Sequence, residues 1–216
     1  PGVHKGYEYS RTSNPTRKAL EDCIADLEGG ESGFAFASGM AATSTILELL
    51  DAGDHVIASD DLYGGTYRLM EDVRKRTSSL DFSFVDFSST ENILKEIKSN
   101  TKMLWLETPS NPLLKITDLE EISSVITDKN IIKVCDNTFS SPWIQRPLDF
   151  NFDIVMHSAT KYIGGHSDVV GGLAITSKNR TDLSDELAYL INASGGIAGP
   201  FDSFLLLRSL KTLSLI

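Results

Sequence analysis

Cysteines, basic residues and long apolar runs are all scarce in this sequence of 216 residues. Only two cysteines occur, too few for a disulfide framework, and Cys23 and Cys135 lie in apolar patterns that predict free, buried thiols. The 30 acidic residues outnumber 20 lysines and arginines, and the formal charge of −10 disfavours nucleic acid and anionic membranes as partners. No uncharged apolar run reaches membrane-spanning length, and the cytoplasm is the expected location.

Metal-binding patterns are missing as well, because the four histidines show no ligand spacing, and we expect no metal site. The apolar share of 41% and the charged share of 23% are ordinary for one large globular domain. The sequence begins at Pro1 and stops at Ile216 within an apolar pattern. From this we expect a piece of a longer chain.

Strand-like and helix-like segments alternate along the chain. Asn14-Pro15 is typical of a helix start and Gly29-Gly30 of a helix end. The patterns Ser88-x-x-Glu91 and Thr117-x-x-Glu120 predict two further helix starts. Short apolar runs predict strands over residues 33–37, 55–58, 80–85, 102–107, 131–135, 154–157 and 173–175. The sequence therefore predicts an α/β fold of three layers, αβα, with a mostly parallel sheet covered by helices on both faces.

The stretch from Asp153 to His166 carries the strongest chemical signal. Its apolar run predicts a buried strand that ends at Ser158-Ala159-Thr160-Lys161, and Gly164-Gly165 follow. This order places the amine of Lys161 at the mouth of the sheet, partly desolvated and near hydroxyl groups. Such an amine can attack a carbonyl group and form a Schiff base, although a lone lysine after a strand is more often a surface residue.

Other predicted strand ends carry groups that could share a ligand with Lys161, because open α/β sheets bind ligands beyond the carboxyl ends of their strands. Glu107 and Asp136 each close an apolar strand. A buried carboxylate is costly unless it meets a cation or strong donors. A protonated ring nitrogen would satisfy Asp136, and capping of the turn through Asn137-Thr138 explains this residue equally well.

A phosphate site is predicted where Ser38-Gly39-Met40 joins a strand to a helix. Free amides and the helix dipole attract anions at such a junction, and Gly39 allows close approach. The hydroxyl groups of Ser158 and Thr160 could add donors, and Tyr63, in a glycine-flanked loop, could stack on an aromatic ring. Together these features describe a flat, phosphorylated aromatic aldehyde with a basic ring nitrogen, which is pyridoxal phosphate.

The motifs resemble those of the Cys/Met-metabolism family of fold-type-I pyridoxal-phosphate enzymes, closest to the cystathionine γ-lyases and their γ-synthase relatives. Their order and spacing fit over nearly the whole sequence. The motifs are Tyr9-Ser10-Arg11, Asn14-Pro15-Thr16, Ala37-Ser38-Gly39-Met40-Ala41-Ala42, Asp61-Leu62-Tyr63-Gly64-Gly65-Thr66, Glu107-Thr108-Pro109-Ser110-Asn111-Pro112, Asp136-Asn137-Thr138 and Ser158-Ala159-Thr160-Lys161.

The resemblance implies a role for each matching residue. Lys161 would bind the cofactor covalently and shuttle protons, while Tyr63 would stack on the ring and assist proton transfer. Asp136 would keep the pyridine nitrogen protonated, and Asn111 would face the phenolic oxygen. The phosphate-binding residues would be Gly39, Met40, Ser158 and Thr160, joined by Tyr9 and Arg11 from a neighbouring subunit.

The resemblance also implies the organisation of the protein. Residues 1–14 would form an arm that reaches the neighbouring subunit, and residues 15–216 the pyridoxal-phosphate-binding domain, with a smaller C-terminal domain outside this sequence. The protein would be a homo-oligomer, a dimer of dimers, acting on a small amino acid. The implied reaction is γ-elimination of cystathionine, with γ-synthase and β-lyase activities as alternatives. Gly65 disfavours a methionine γ-lyase, which typically has cysteine there.

Two other classes of protein fit the residues less well. Ser158-x-x-Lys161 also matches the serine–lysine signature of penicillin-recognising enzymes, which require Ser-Asp-Asn and Lys-Thr-Gly partners. The sequence has Ser167-Asp168-Val169 and Lys211-Thr212-Leu213 instead. A non-catalytic binding module would keep the phosphate contacts without needing a lysine opposite a buried aspartate.

Overall fold

The computed structural model describes residues 6–216, in which seven strands form one sheet. The strands are β1 (Ser32–Phe36), β2 (His55–Ser59), β3 (Asp81–Val85), β4 (Thr101–Glu107), β5 (Ile132–Asp136), β6 (Ile154–His157) and β7 (Gly172–Thr176). They lie in the order β1-β7-β6-β5-β4-β2-β3. Every pairing among β2 to β6 is parallel, whereas β7 runs antiparallel to β1 and β6. The prediction of a mostly parallel sheet is therefore confirmed.

Helices connect the strands. They are α1 (Pro15–Glu28), α2 (Gly39–Leu47), α3 (Gly64–Arg68), α4 (Lys75–Thr77), α5 (Thr90–Glu96), α6 (Leu119–Val125), α7 (Ser141–Ile144), α8 (Thr181–Ser194) and α9 (Pro200–Ser209). A π-helical segment, Leu69–Arg74, joins α3 to α4, and Pro147–Phe150 and Leu210–Leu215 are 3₁₀ helices. Within residues 6–216, none of these helices has the length and apolar character needed to cross a membrane.

The helices cover both faces of the sheet, as predicted. On one face α2 and α8 contribute Ile46 and Leu187 to a buried cluster. On the opposite face α5 and α6 contribute Ile93 and Ile122, and α1 contributes Ile24 near β1 and β7. Burying each such side chain stabilises the fold by about 1.5–3 kcal/mol. The core thus fixes the strands so that the carboxyl ends of β4, β5 and β6 lie side by side.

The ends of α1 follow the sequence prediction. Asn14 caps its first turn, its side-chain oxygen accepting from the backbone N–H groups of Thr16 at 3.0 Å and Arg17 at 3.3 Å. Gly29, at φ 73°, ends the helix in the left-handed conformation that glycine adopts without strain. The thiols also follow the prediction in part, because Cys135 is free and buried whereas Cys23 is free and only half-buried.

The starts of α5 and α6 differ from prediction by one residue. Ser89 rather than Ser88 precedes α5, because the N–H of Ser88 donates to Asp86 at 2.9 Å and holds Ser88 in the preceding turn. Asp118 rather than Thr117 caps α6, its carboxylate accepting from the N–H of Glu121 at 3.0 Å. In both cases a nearby aspartate competes with the predicted hydroxyl residue.

Candidate active site

A cavity of about 230 Å³ lies at the carboxyl ends of β4, β5 and β6. Ligands of open α/β sheets bind at this edge. The predicted site residues that line the cavity are Gly39, Met40, Tyr63, Asn111, Asp136, Ser158, Thr160 and Lys161. The fold therefore brings together residues that the sequence separates by more than 100 positions, as between Gly39 and Lys161.

Lys161 lies on a turn just after β6. Its N–H donates to the carbonyl of Ser158 at 3.1 Å, and its own carbonyl accepts from the N–H of Gly165 at 2.7 Å. Gly165 has φ 61°, which favours glycine at this position. The side chain of Lys161 is exposed in the single chain. The partial desolvation expected from the sequence is therefore not seen, because the turn projects beyond the end of the strand.

Asp136 ends β5 and is buried beside the cavity. Its Oδ1 accepts from Thr138 twice, from the backbone N–H at 3.0 Å and from the hydroxyl at 2.5 Å. No residue among 6–216 donates a hydrogen bond to Oδ2, so this oxygen is available to a cation. Burial raises the pKa of Asp136, and the two donors of Thr138 and the charge of His157 oppose that rise.

Thr138 has a role that the sequence analysis did not assign. Its hydroxyl donates to Asp136 and also accepts from the backbone N–H of Ser158 at 2.8 Å. One side chain thus holds the ends of β5 and β6 in a fixed relation. The sequence signalled only the local turn from Asp136 to Thr138, since the contact to Ser158 spans 20 residues.

Ser38 and Gly39 form the strand-to-helix junction at which the sequence predicts an anion site. Ser38 caps α2 by accepting from the N–H of Ala41 at 3.1 Å. The other backbone amides of the first turn lie at the end of the helix that borders the cavity. A Cβ atom on Gly39 would lie 2.9 Å from the Cβ atom of Ser158, and one on Gly172 only 2.2 Å from the carbonyl oxygen of Ser38. Both glycines are needed for this junction to pack against β7 and the hydroxyl of Ser158.

Thr160 differs from its neighbours in this site. Its hydroxyl donates to the carbonyl of Gly171 at 3.2 Å and accepts from the N–H of the same residue at 3.1 Å. The hydroxyl proton is therefore committed to the backbone in this structure. Thr160 lines the cavity as predicted, but its predicted contribution as a phosphate donor requires the hydroxyl to rotate.

Comparison with known proteins identifies the family of this cavity. The sequence profile described as Cys/Met metabolism PLP-dependent enzyme matches residues 1–215. The chain belongs to this family. The name refers to pyridoxal 5′-phosphate, so pyridoxal phosphate is the cofactor of the family.

Individual relatives have three different activities in their names. A cystathionine beta-lyase of Coxiella burnetii is 62% identical over 215 residues, which are 100% of this chain and 55% of that protein. A probable cystathionine gamma-synthase of Herpetosiphon aurantiacus is 51% identical over 99% of this chain and 66% of its own length. The crystal structure of cystathionine gamma-lyase from Lactobacillus plantarum, complexed with L-serine, has a TM-score of 0.94 at 49% identity and covers 98% of this chain and 55% of its own. The chain thus spans little more than half the length of two of these relatives.

Tyr63 lies at the edge of the cavity, and its position is set by contacts with two neighbours, Glu107 and Gly65. Its backbone N–H donates to Oε2 of Glu107 at 2.8 Å. A Cβ atom on Gly65 would lie 2.4 Å from Cε1 of Tyr63, so the ring lies directly over this glycine. Tyr63 as a whole residue remains 45% exposed, which leaves its side chain free to contact a ligand in the cavity.

Glu107 is the second carboxylate of the cavity, and the sequence analysis gave it no specific role. Burial and the nearby charge of Asp136 raise the pKa of Glu107 to about 8, against the lowering effect of the N–H groups of Tyr63 and Asn111. These donors belong to two different loops that carry predicted site residues. Glu107 therefore connects the loop of Tyr63 to the loop of Asn111.

Tyr9 and Arg11 do not line the cavity. The guanidinium of Arg11 donates to the carbonyl of Asn192 and lies 5.0 Å from the centre of the Tyr9 ring. Within the single chain, this segment thus packs near the end of α8. The predicted contact of both residues with a neighbouring subunit stays a prediction.

The residues of the cavity fit the family cofactor. A helix N-terminus with Ser158 beside it suits a phosphate group, and the close packing at Gly39 keeps side chains away from it. Asp136 offers a buried carboxylate oxygen for a protonated ring nitrogen, and Lys161 offers an exposed amine for an aldehyde. Among residues 6–216, no group of three potential ligands that could hold a metal ion occurs.

Proposed function

We propose that the intact protein is a pyridoxal-phosphate-dependent carbon–sulfur lyase that cleaves cystathionine by γ-elimination to cysteine, 2-oxobutanoate and ammonia. The observation that supports this most strongly is the placement of Lys161, Asp136 and the N-terminus of α2 around one cavity. The names of relatives add support for a carbon–sulfur lyase, including the gamma-lyase whose structure superimposes with a TM-score of 0.94.

The proposed chemistry divides the work between cofactor and protein. Bound pyridoxal phosphate supplies an electron-withdrawing ring for carbanion chemistry next to the amino group of the substrate. Lys161 would anchor the cofactor and carry protons on Nζ, and Asp136 would hold a proton on the ring nitrogen. Tyr63 would cover one side of the ring, and Asn111 would orient it from the neighbouring loop. Thr138 would keep Asp136 and Ser158 in register.

Cystathionine β-lyase activity is the second candidate, because the relative that is 62% identical carries that name. One assay separates the candidates. The intact protein, supplied with cystathionine, should release cysteine and 2-oxobutanoate if the proposal is correct. Release of homocysteine and pyruvate would establish the β-lyase instead. No cleavage, combined with formation of cystathionine from cysteine and an activated homoserine ester, would establish a γ-synthase.

The covalent role of Lys161 has its own test. Borohydride reduction of the intact protein with pyridoxal phosphate should label the peptide that contains Lys161, and Lys161→Ala should lose both the label and turnover. The loss should exceed the ~10²–10⁴-fold effect of an ordinary acid–base residue. Lys115 is a control lysine, because its amine is paired with Asp60 at 2.9 Å. Label on any lysine other than Lys161 would refute the assignment.

The same proposal includes a homo-oligomer, a dimer of dimers in the cytoplasm, with residues 1–14 as an arm and residues 15–216 as the cofactor domain. Two observations support active sites that are formed by residues of two subunits. Tyr9 and Arg11 lie outside the cavity of their own chain, and Tyr162 and Val170 beside Lys161 are 45% and 58% exposed. Apolar side chains at a cavity mouth suit cover by another subunit.

A further inference from the structure

Two neighbouring loops carry the residues proposed to contact the cofactor ring. Tyr63 belongs to the loop after β2, and Asn111 belongs to the loop after β4. These strands pair in parallel, so both loops leave the sheet at the same edge. Both residues line the cavity of about 230 Å³. Their side chains can contact one ring only if the two loops keep a fixed separation.

Asp61 joins these two loops. It lies two residues before Tyr63 and is 9% exposed. Its Oδ2 accepts from the hydroxyl of Ser110 and from the backbone N–H of Leu113 at 3.0 Å. These donors lie one residue before and two residues after Asn111. A single carboxylate oxygen of the first loop thus holds the second loop on both sides of Asn111.

Ser110 extends the contact into its own loop. Its hydroxyl also accepts from the N–H of Lys115 at 2.8 Å, and its own N–H donates to the carbonyl of Lys115 at 3.1 Å. The carbonyl of Ser110 accepts from the N–H of Leu114 at 3.1 Å. Ser110 is buried, which strengthens these hydrogen bonds relative to exposed ones. The segment from Ser110 to Lys115 is therefore a closed turn attached to Asp61.

Glu107 connects the same loops at a different place. It accepts from the N–H of Tyr63 at 2.8 Å and from the N–H of Asn111, on the side of the cofactor cavity. Asp61 and Ser110 instead line a second cavity, of about 310 Å³, which Glu107 also borders. One connection would leave the loops free to pivot about it, whereas two connections also fix their relative orientation.

We propose that Asp61 is a positioning residue that acts through Tyr63 and Asn111, by keeping their loops at the separation that the cofactor ring requires. Asp61 lies outside the cofactor cavity and acts only through these two residues. This inference rests on the proposed roles of Tyr63 and Asn111 as ring contacts. It assigns the effect of Asp61 to its hydrogen bonds rather than to its charge.

Two substitutions of Asp61 separate its hydrogen bonds from its charge. In Asp61→Asn the amide oxygen can still accept from Ser110 and Leu113, because both donors meet one oxygen atom, whereas Asp61→Ala loses both contacts. In Asp61→Ala we expect the dissociation constant for pyridoxal phosphate to rise ~10-fold, corresponding to one weakened aromatic contact and one lost hydrogen bond. Its kcat should fall ~10²-fold, the effect of misplacing a contact group. Asp61→Asn should stay close to the wild type in both quantities.

The measurement uses the intact, cofactor-depleted protein. It follows the dissociation constant for pyridoxal phosphate, the circular dichroism of the bound cofactor and the melting temperature. The dichroism reports the orientation of the ring, because pyridoxal phosphate itself has no stereocentre. Ser110→Ala removes one of the two donors and remains informative if Asp61→Ala folds poorly. It should change affinity and dichroism in the same direction as Asp61→Ala, by a smaller amount.

Asp60→Ala is the matched control. Asp60 joins the same two loops through an exposed pair with Nζ of Lys115 at 2.9 Å. Exposed pairs contribute little, so this substitution should leave affinity and dichroism unchanged. Equal losses in Asp61→Asn and Asp61→Ala would assign the effect to charge and contradict the inference.

A background with both Tyr63→Ala and Asn111→Ala completes the test. There Asp61→Ala should cause no further loss of affinity, since the residues through which it acts are gone. If Asp61→Ala loses as much in that background as in the wild type, or lowers only the melting temperature, Asp61 is merely structural and the inference is wrong. If the background itself binds the cofactor as the wild type does, the proposed roles of Tyr63 and Asn111 fail, and the inference fails with them.

Discussion

Two carboxylates, Asp136 and Glu107, face the same cavity with different partners. Asp136 receives two hydrogen bonds from Thr138 on one oxygen, whereas Glu107 receives the N–H of Tyr63. Burial penalises the ionised form of both side chains and raises both pKa values. A cationic ligand would relieve this penalty. Because the two side chains have different partners, we expect them to respond differently when that ligand is lost.

Asp136→Ala should bind pyridoxal phosphate but turn over poorly. By the proposed roles, Lys161 and the N-terminus of α2 would remain to hold the cofactor, while the carboxylate proposed to hold the ring proton would be lost. We expect kcat to fall by ~10²–10³-fold, the range for loss of one preorganised electrostatic contact. Steady-state kinetics and the absorbance of bound cofactor measure the two effects separately. A variant with nearly normal kcat would exclude the proposed role.

Glu107 should make the cofactor-free protein less stable as the pH rises. Its folded pKa of about 8 lies above the ordinary value of 4.5, so the folded state retains a proton that the unfolded state has released. Stability from this group is complete below pH 4.5 and is lost as the pH rises through 8. Glu107→Gln removes the dependence, so its melting temperature should exceed that of the wild type increasingly from pH 5 to pH 8.

Two substitutions of Glu107 distinguish the effect of its charge from the effect of its hydrogen bond to Tyr63. Glutamine at residue 107 can still accept the N–H of Tyr63, whereas alanine cannot. Glu107→Ala should therefore reduce kcat/KM by ~10–100-fold, corresponding to a buried donor left without its partner, and Glu107→Gln by much less. Equal losses in the two variants would show that the charge of Glu107, rather than its contact with Tyr63, supports activity.

Helices, strands and their order follow closely from local sequence patterns. The start of α1 at Asn14-Pro15 and its end at Gly29 were predictable, because capping depends on residues a few positions apart. The starts of α5 and α6 were predicted one residue too early, since hydroxyl and carboxylate caps compete at neighbouring positions. The antiparallel direction of β7 was not predicted, because strand direction is determined by pairing with β1 and β6.

The cavity residues were predictable only where a motif or a strand end marked them. Lys161, Asp136 and Gly39 each follow or close a predicted strand, so their convergence follows from the topology of a parallel sheet. The contact between Glu28 and His157 spans 129 residues and leaves no local pattern. The bridging role of Thr138 was missed for the same reason. Long-range polar contacts need the fold before they can be identified.

Arg17 fixes the segment that precedes α1. Arg17 is 3% exposed, and its guanidinium donates to the carbonyls of Ser10 at 2.7 Å and Arg11 at 3.0 Å. Its Nε lies 3.3 Å from Glu21, which accepts from the N–H of Ala35 in β1. Arg17→Met should release this segment and leave Glu21 without its cation, at a cost of about 3–5 kcal/mol.

Hydrogen exchange measures the effect of Arg17 directly. The amides of Thr12 and Ser13, which donate to Tyr9 at 3.0 Å, should exchange faster in Arg17→Met. Lys18→Met is the matched control, because Lys18 and Asp22 form an exposed pair worth less than about 1 kcal/mol. Unchanged exchange at residues 12 and 13 in Arg17→Met would show that other contacts hold the segment.

One prediction depends on the proposed neighbouring subunit and concerns Arg11. Its planar guanidinium suits a phosphate group through paired N–H donors, which lysine cannot reproduce. In the single chain Arg11 contacts Asn192 and lies outside the cavity. Arg11→Lys in the intact protein should therefore hold pyridoxal phosphate more weakly if the guanidinium serves a neighbour's site, as measured by the dissociation constant.

Hybrid oligomers decide whose cavity Arg11 serves. In a symmetric dimer with shared sites, a Lys161→Ala subunit donates its intact Arg11 to the Lys161 of an Arg11→Ala subunit, which gives one native site and one doubly altered site. Coexpressed and purified through two different tags, such hybrids should recover about half of the wild-type activity per dimer. Each variant alone is the control. If Arg11 serves its own chain, every site in the hybrid lacks either Lys161 or Arg11. Only the Arg11→Ala site keeps Lys161, so the activity per dimer should not exceed half of that of the Arg11→Ala protein.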